Sequence, residues 1–152
     1  MIEIPEEVLN VFLRMQREGI IKKFALGGGM AAKFWCNPPA TRDMDFFVIL
    51  NSEGSGDIGL MQEVYNYMIT YEEAKWKGQH LLYLGYLLDI LPAHGLIKEA
   101  VECASNYLIT PNYLAAISYM TARKKDGERI KALNESGLIT GEFRELVFKY
   151  KR

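Results

Sequence analysis

The sequence predicts one mixed α/β (α+β) domain, residues 1–152, in which a small mixed sheet of about four to five strands is flanked by helices and 111–152 forms a helical C-terminal part. Three observations carry this. Short aromatic or β-branched runs alternate with stretches of helical periodicity. Glycine or proline punctuates most changes of pattern. The chain has 152 residues and 49% apolar content, enough for one core and too little for two of ordinary size.

The elements follow in order. Pro5 suits a first helical turn, Glu6 and Glu7 complement the helix dipole, and Val8, Phe12 and Met15 share one face before Gly19. Lys23-Phe24-Ala25-Leu26 reads as a short strand ending in Gly27-Gly28-Gly29, after which Met30, Ala31, Phe34 and Trp35 recur at helical spacing. Asn37-Pro38-Pro39 must end that helix. Residues 43–50, DMDFFVIL, read as a central strand and 51–57, NSEGSGD, as a loop. Leu60, Met61, Val64, Tyr65 and Met68 mark an amphipathic helix, followed by a polar link through Lys77 and Gly78. Two strands, 80–84 and 86–91, turn near Gly85 and end at Pro92. Leu96, Ile97, Ala100, Val101 and Ala104 mark a helix, and 107–109 a short strand. Thr110-Pro111 starts another helix, a third around 129–135 stops at Gly137, and Thr140 caps a fourth carrying Phe143, Leu146, Val147 and Tyr150.

The 18 basic and 19 acidic residues nearly cancel, so overall charge points to neither a nucleic-acid nor a membrane partner. Cys36 and Cys103 suit a reducing compartment and read as buried small apolar residues. The acidic N-terminus has no signal-peptide pattern, and 81–91, interrupted by Gly85 and Asp89, is too short to span a bilayer. A cytoplasmic protein is expected.

Chemistry is concentrated in three segments. Contiguous glycines at a strand-to-helix turn allow close approach of a phosphate to backbone N–H groups, although a tight turn packed on the sheet also accounts for them. Asp43 and Asp45 lie two apart on a strand, so they face the same way about 6 to 7 Å apart. Such a pair can ligate a hard cation, Mg²⁺ or Mn²⁺. A solvated strand entrance, with Arg42 neutralising one acid, fits as well. Asp89 stands alone in the apolar run YLLDILP, where a carboxylate needs a metal, a basic partner or water. It becomes a third acid of the site if its strand lies beside 43–50, and otherwise a strand-end acid facing solvent. His80 and His94 lack metal-ligand spacing, His80 reading as strand surface and His94 as a loop or helix-start residue.

ALGGGMAAKF, TRDMDFFV and LLDIL together resemble the DNA polymerase β-like nucleotidyltransferase superfamily. The further segments LLDILPAHGLIKEAVECA and ARKKD resemble small prokaryotic nucleotidyltransferases related to AbiEii-type toxins, so that the likeness covers roughly 20–137. The resemblance implies a nucleotidyltransferase fold and metal-assisted transfer of a nucleoside monophosphate from an NTP, such as ATP, to a hydroxyl. It implies Asp43, Asp45 and Asp89 as metal ligands and catalytic residues, with Asp89 helping to deprotonate the acceptor, and Mg²⁺ or Mn²⁺ as cofactor. Gly27 and Gly28 would hold the triphosphate, with Arg42 and Lys125 as further nucleotide contacts. Arg42 also fits a surface ion pair, and Ala122 to Lys125 also fits a basic helix C-terminus.

The chain departs from the family pattern at Ser118, where a lysine is common, and at Arg129, where an acid is common. The acceptor implied is RNA, such as tRNA, or a protein, and one setting is a toxin–antitoxin pair. Lys22, Lys23, Lys33, Lys124, Lys125 and Arg129 are the cations available for an RNA footprint. The alternative is a catalytically reduced relative that binds a nucleotide or a partner protein.

Overall fold

A computed structural model describes residues 4–36, 42–51 and 57–151. The proline break at 37–39 and most of the loop expected over 51–57 lie outside the described residues. The elements are α1 (Glu6–Arg17), β1 (Lys23–Gly27), α2 (Gly28–Trp35), β2 (Asp43–Ile49), α3 (Asp57–Thr70), β3 (Lys75–Lys77), β4 (His80–Tyr83), β5 (Tyr86–Pro92), α4 (Gly95–Glu102), α5 (Pro111–Thr121), α6 (Lys124–Glu135) and α7 (Gly141–Tyr150).

The five strands form one sheet in the order β1-β2-β5-β4-β3. β2 and β5 are its parallel pair, and the other neighbours are antiparallel. The parallel register sets Met44 beside Leu88 and Phe46 beside Ile90, all four buried. Because side chains alternate along a strand, the residues between them, Asp43, Asp45 and Phe47 on β2 and Asp89 and Leu91 on β5, are carried to the opposite face. The apolar face receives α1, whose Phe12 stacks on Phe46 with centroids 4.2 Å apart; burying each such side chain contributes about 1.5–3 kcal/mol. The acid-bearing face has α2 and α4 against β2, and beyond them α6 and α7 each pack on α5.

Several expectations change in detail. Lys75–Lys77, read as a link, is an exposed edge strand paired with β4, so the sheet has five strands. Residues 107–109 make no strand; Leu108 forms only isolated bridges with Leu26 and Ser105. Thr110 and Thr140 occupy N-cap positions without capping side-chain bonds. The Thr140 hydroxyl instead accepts from Asn112 Nδ2 at 2.9 Å, and its N–H donates to Asn112 Oδ1 at 2.9 Å. Cys103 is exposed rather than buried, and Cys36 is half-buried. Ala122 to Lys125 is not the end of a helix. α5 stops at Thr121, Ala122 adopts φ 54°, and Arg123 precedes α6. None of the helices in the described residues is long and apolar enough to cross a membrane.

Candidate metal and nucleotide site

Three strands deliver the acids and their partners to one place. Asp45 and Asp89 are direct register partners across the parallel β2–β5 pair, so the two carboxylates meet on the same face. Asp43 precedes Asp45 by one pleat on that face. β4 adds His80, whose Nδ1 is 2.6 Å from Asp89 Oδ1 and whose Nε2 is 3.8 Å from Asp43 Oδ2. One ligand atom each from Asp43, His80 and Asp89 lie within 4.8 Å of one another. Asp45 stands beside this triad rather than within it.

The glycine turn positions Asp45. Gly28 has φ +61°, and a Cβ there would lie 2.2 Å from Asp45 Oδ2. The carboxylate therefore rests in space that only glycine leaves open. Gly27 does the same for Phe47, whose ring a Cβ would meet at 2.6 Å. Burial, then the charge and hydrogen bond of Asp89, then the charge of Asp43 push the Asp45 carboxyl up to about 6. The Arg129 charge opposes this rise. The imidazole of His80 is shifted upward by its hydrogen bond to Asp89 and by the three surrounding carboxylates, against some desolvation.

Above the acids opens a cleft of about 450 Å³, within the size range of small-molecule sites. Its floor is Gly28, Asp45, Phe47 and Asp89, and its opposite wall is Leu114, Ile117, Arg123, Asp126 and Arg129. The wall depends on the α5–α6 corner. Asp126 accepts hydrogen bonds from the Arg123 backbone N–H at 3.0 Å and from its Nε at 2.9 Å. Arg129, only 7% exposed, donates through Nη1 to Asp126 Oδ1 at 3.2 Å and to Ser118 Oγ at 3.3 Å. Burial raises the Asp126 carboxyl, but the Arg123 hydrogen bonds and the charges of Arg123 and Arg129 outweigh it and hold it below its ordinary value. Burial lowers the Arg129 guanidinium, with Asp126 and Asp45 pulling the other way.

The residues expected at the site divide accordingly. Asp45, Asp89 and Gly28 line the cleft, Asp43 joins Asp89 and His80 at its edge, and Gly27 supports the floor through Phe47. Lys125 is exposed at the start of α6 and does not line the cleft. Arg123 takes that place because the chain turns at Ala122 instead of continuing as helix. Arg42 is likewise exposed and absent from the lining. The buried Arg129 cannot contribute to a surface footprint for RNA. His80, Arg123 and Arg129 are the additions that the structure makes.

The donor set, carboxylates with one imidazole, matches a hard or borderline divalent cation. Gly28 leaves the space that the Asp45 carboxylate occupies, and the strand register sets that carboxylate beside Asp89. Comparison with known proteins finds no family model that matches the chain and no curated protein that matches it.

Proposed function

We propose that this chain is a metal-dependent nucleotidyltransferase that transfers a nucleoside monophosphate from an NTP to a hydroxyl of RNA or protein. The supporting observation is the parallel register of Asp45 with Asp89, with Asp43 on the same face and two arginines across the cleft. Acids on one side and, on the other, two arginines that share the single carboxylate of Asp126 suit a ligand that carries both a metal ion and phosphate charge.

In this reading Asp43 and Asp89 hold a divalent cation, Mg²⁺ or Mn²⁺, with Asp45 beside them. When bound, the cation neutralises phosphate charge and orients the reacting oxygens. Gly28 brings the first turn of α2 to the cleft, where its backbone N–H groups face phosphate oxygens. Arg123 and Arg129 take the outer phosphates from the opposite wall. Arg129 is pre-oriented by Asp126 and Ser118, so little side-chain freedom remains to be lost on binding. The acceptor oxygen bonds to the α-phosphorus as the bridge to the β-phosphate breaks, pyrophosphate departs, and the hydroxyl proton passes to Asp89. Ser118, standing where the family pattern has a lysine, leaves no gap in charge on this wall, because Arg129 reaches the same region from α6.

The test is incubation with each α-labelled NTP, a divalent cation and a mixture of tRNA and host protein, beside an Asp43→Ala/Asp45→Ala variant. Label should appear on one acceptor class with the unaltered protein and not with the variant. Transfer that survives the double substitution overturns the mechanism. Metal-dependent nucleotide binding without transfer would identify a binding module instead, and an acceptor that is protein alone would remove RNA from the reading, as would the converse for protein.

A further inference from the structure

The last helix carries an apolar side chain that the core does not reach. In α7, Leu146 is buried, Phe143 and Val147 pack partly buried against the core, and Phe148 is 88% exposed. The exposed ring does not stand alone. With Phe143, Val147 and Tyr119 of α5 it lines an apolar hollow of about 570 Å³, in which the Tyr119 and Phe143 rings meet edge to face at 6.2 Å. A second hollow of about 760 Å³, with Ile130 and Ile139 in its walls, shares Phe143 and Arg144 with the first. The two adjoin as one groove over α5, α6 and α7, and none of its residues lines the acid-bearing cleft. Every charged residue in the groove lining is a cation: Lys131, Arg144 and Lys151. Lys151 is held at the rim, its Nζ 3.0 Å from the Tyr119 hydroxyl and 5.2 Å from the ring centroid. Arg144 lies one turn before Phe148 on the same side of α7. The acids of that helix, Glu142 and Glu145, line neither hollow, and Glu142 accepts from Asn112 Nδ2 at 3.4 Å. Glu135 comes within 3.9 Å of Lys131, but an exposed pair at that distance holds its cation weakly.

We infer that this groove binds an amphipathic helix of another protein, apolar on one face and acidic along its flanks. Apolar side chains from successive turns of such a helix fill adjoining hollows, and its carboxylates meet the three cations of the rim. A second copy of the chain joining through the same face would bring like charges together. A flat bilayer surface would cover Phe148 but leave the hollows behind it empty, forfeiting their contacts. The inference is independent of the proposed transfer reaction.

The experiment selects on the full chain from a displayed library of helical peptides of about 16 residues, with apolar, acidic and basic residues randomised. Enriched peptides should carry apolar residues at i, i+3 or i+4 and a net negative charge. The best of them, as a free peptide, should bind Phe148→Ser roughly tenfold more weakly or worse. Arg144→Glu should weaken it likewise, and a peptide with its acids exchanged for lysine should recover binding to that variant. Phe148 and Arg144 are both exposed, so the core stays intact, and circular dichroism checks the folding of each variant. Absence of enrichment, enriched peptides without an acidic bias, or affinity undiminished in Phe148→Ser would overturn the inference. A dimer of the unaltered chain that Phe148→Ser dissolves would overturn it in favour of a second copy. Binding to phosphatidylserine vesicles that Phe148→Ser abolishes would overturn it in favour of a membrane surface.

Discussion

Gly28 concentrates several demands on one residue. Its φ of +61° disfavours any side chain, and a Cβ would lie 2.2 Å from the carboxylate it borders. Gly28→Ala must therefore push Asp45 away from Asp89 or distort the start of α2. The expected result is a loss of metal-stimulated transfer of about a hundredfold, the scale of a 1 Å misplacement. Unfolding free energy should fall by about 1–2 kcal/mol from the left-handed backbone, measured by urea titration. The importance of this glycine was legible in the sequence, but its reason was only partly so. Close approach to phosphate was the expectation, and the side chain packed against it is Asp45. Asp45 yields a second prediction. Its carboxyl is raised to about 6 from an ordinary 3.8, so ionisation weakens the metal-free fold. Asp45→Asn should stabilise that form at pH 8 by about 1–3 kcal/mol, seen as a higher Tm in EDTA, while weakening Mn²⁺ and Mg²⁺ binding. An unchanged or lower Tm would count against a strained acid cluster.

At the scale of elements, the α5–α6 corner decides which cations reach the cleft. Ala122 ends α5 at φ 54°, and the turn sets Arg123, itself exposed, at the rim of the cleft and leaves Lys125 outside its lining. No glycine or proline announces this turn, which is why residues 122–125 read as a helix end. Asp126 then holds both arginines. Asp126→Ala leaves Arg129 buried without its carboxylate, and should destabilise the protein by about 3–5 kcal/mol in denaturant titration. Arg129→Met removes the buried charge and preserves much of the volume, so stability should change by less than Asp126→Ala while KM for the NTP rises. An equal loss of stability in the two variants would mean that Arg129 is itself a structural mainstay. The β4–β5 hairpin was more readable than it looked. Leu84 and Gly85, with φ 50° and 85°, form a two-residue turn, and such a turn fixes the register. Counting back from it sets His80 opposite Asp89. β3, by contrast, is three exposed residues without the apolar alternation that marks a strand, and its edge position emerges only from pairing with β4.

Across the whole molecule, stability should respond to pH in two separate windows. The raised carboxyl of Asp45 and raised imidazole of His80 both favour the protonated fold. Their contribution is lost as pH rises through about 6 and above. Glu99 acts in the opposite direction. Hydrogen bonds from Lys149, Tyr150 and Tyr113 hold it down to about 2, tying α4 to α5 and α7, and the stability it contributes above its ordinary 4.5 is lost as pH falls toward 2. The metal-free protein should therefore be most stable near pH 4–5, and saturating Mn²⁺ should move the optimum upward by stabilising the ionised site. Thermal unfolding from pH 3 to 8, with EDTA or Mn²⁺, checks both limbs. The mixed sheet, the order of most elements and the convergence of Asp45 with Asp89 follow from strand alternation and from placing two apolar runs side by side. The arginine wall does not, because it depends on how a helical cluster folds back over the sheet, and long-range packing leaves little periodic trace.

The central claim, that three acids on two parallel strands serve nucleotidyl transfer, is tested most directly by the position of the transferred label. Parallel reactions carry the same NTP labelled at the α- or γ-phosphorus, with divalent cation and the acceptor identified by screening. The account predicts that α-label joins the acceptor, γ-label leaves as pyrophosphate, and Asp89→Asn abolishes both events. Transfer of the γ-label to the acceptor, or α-label transfer undiminished in Asp89→Asn, would contradict it.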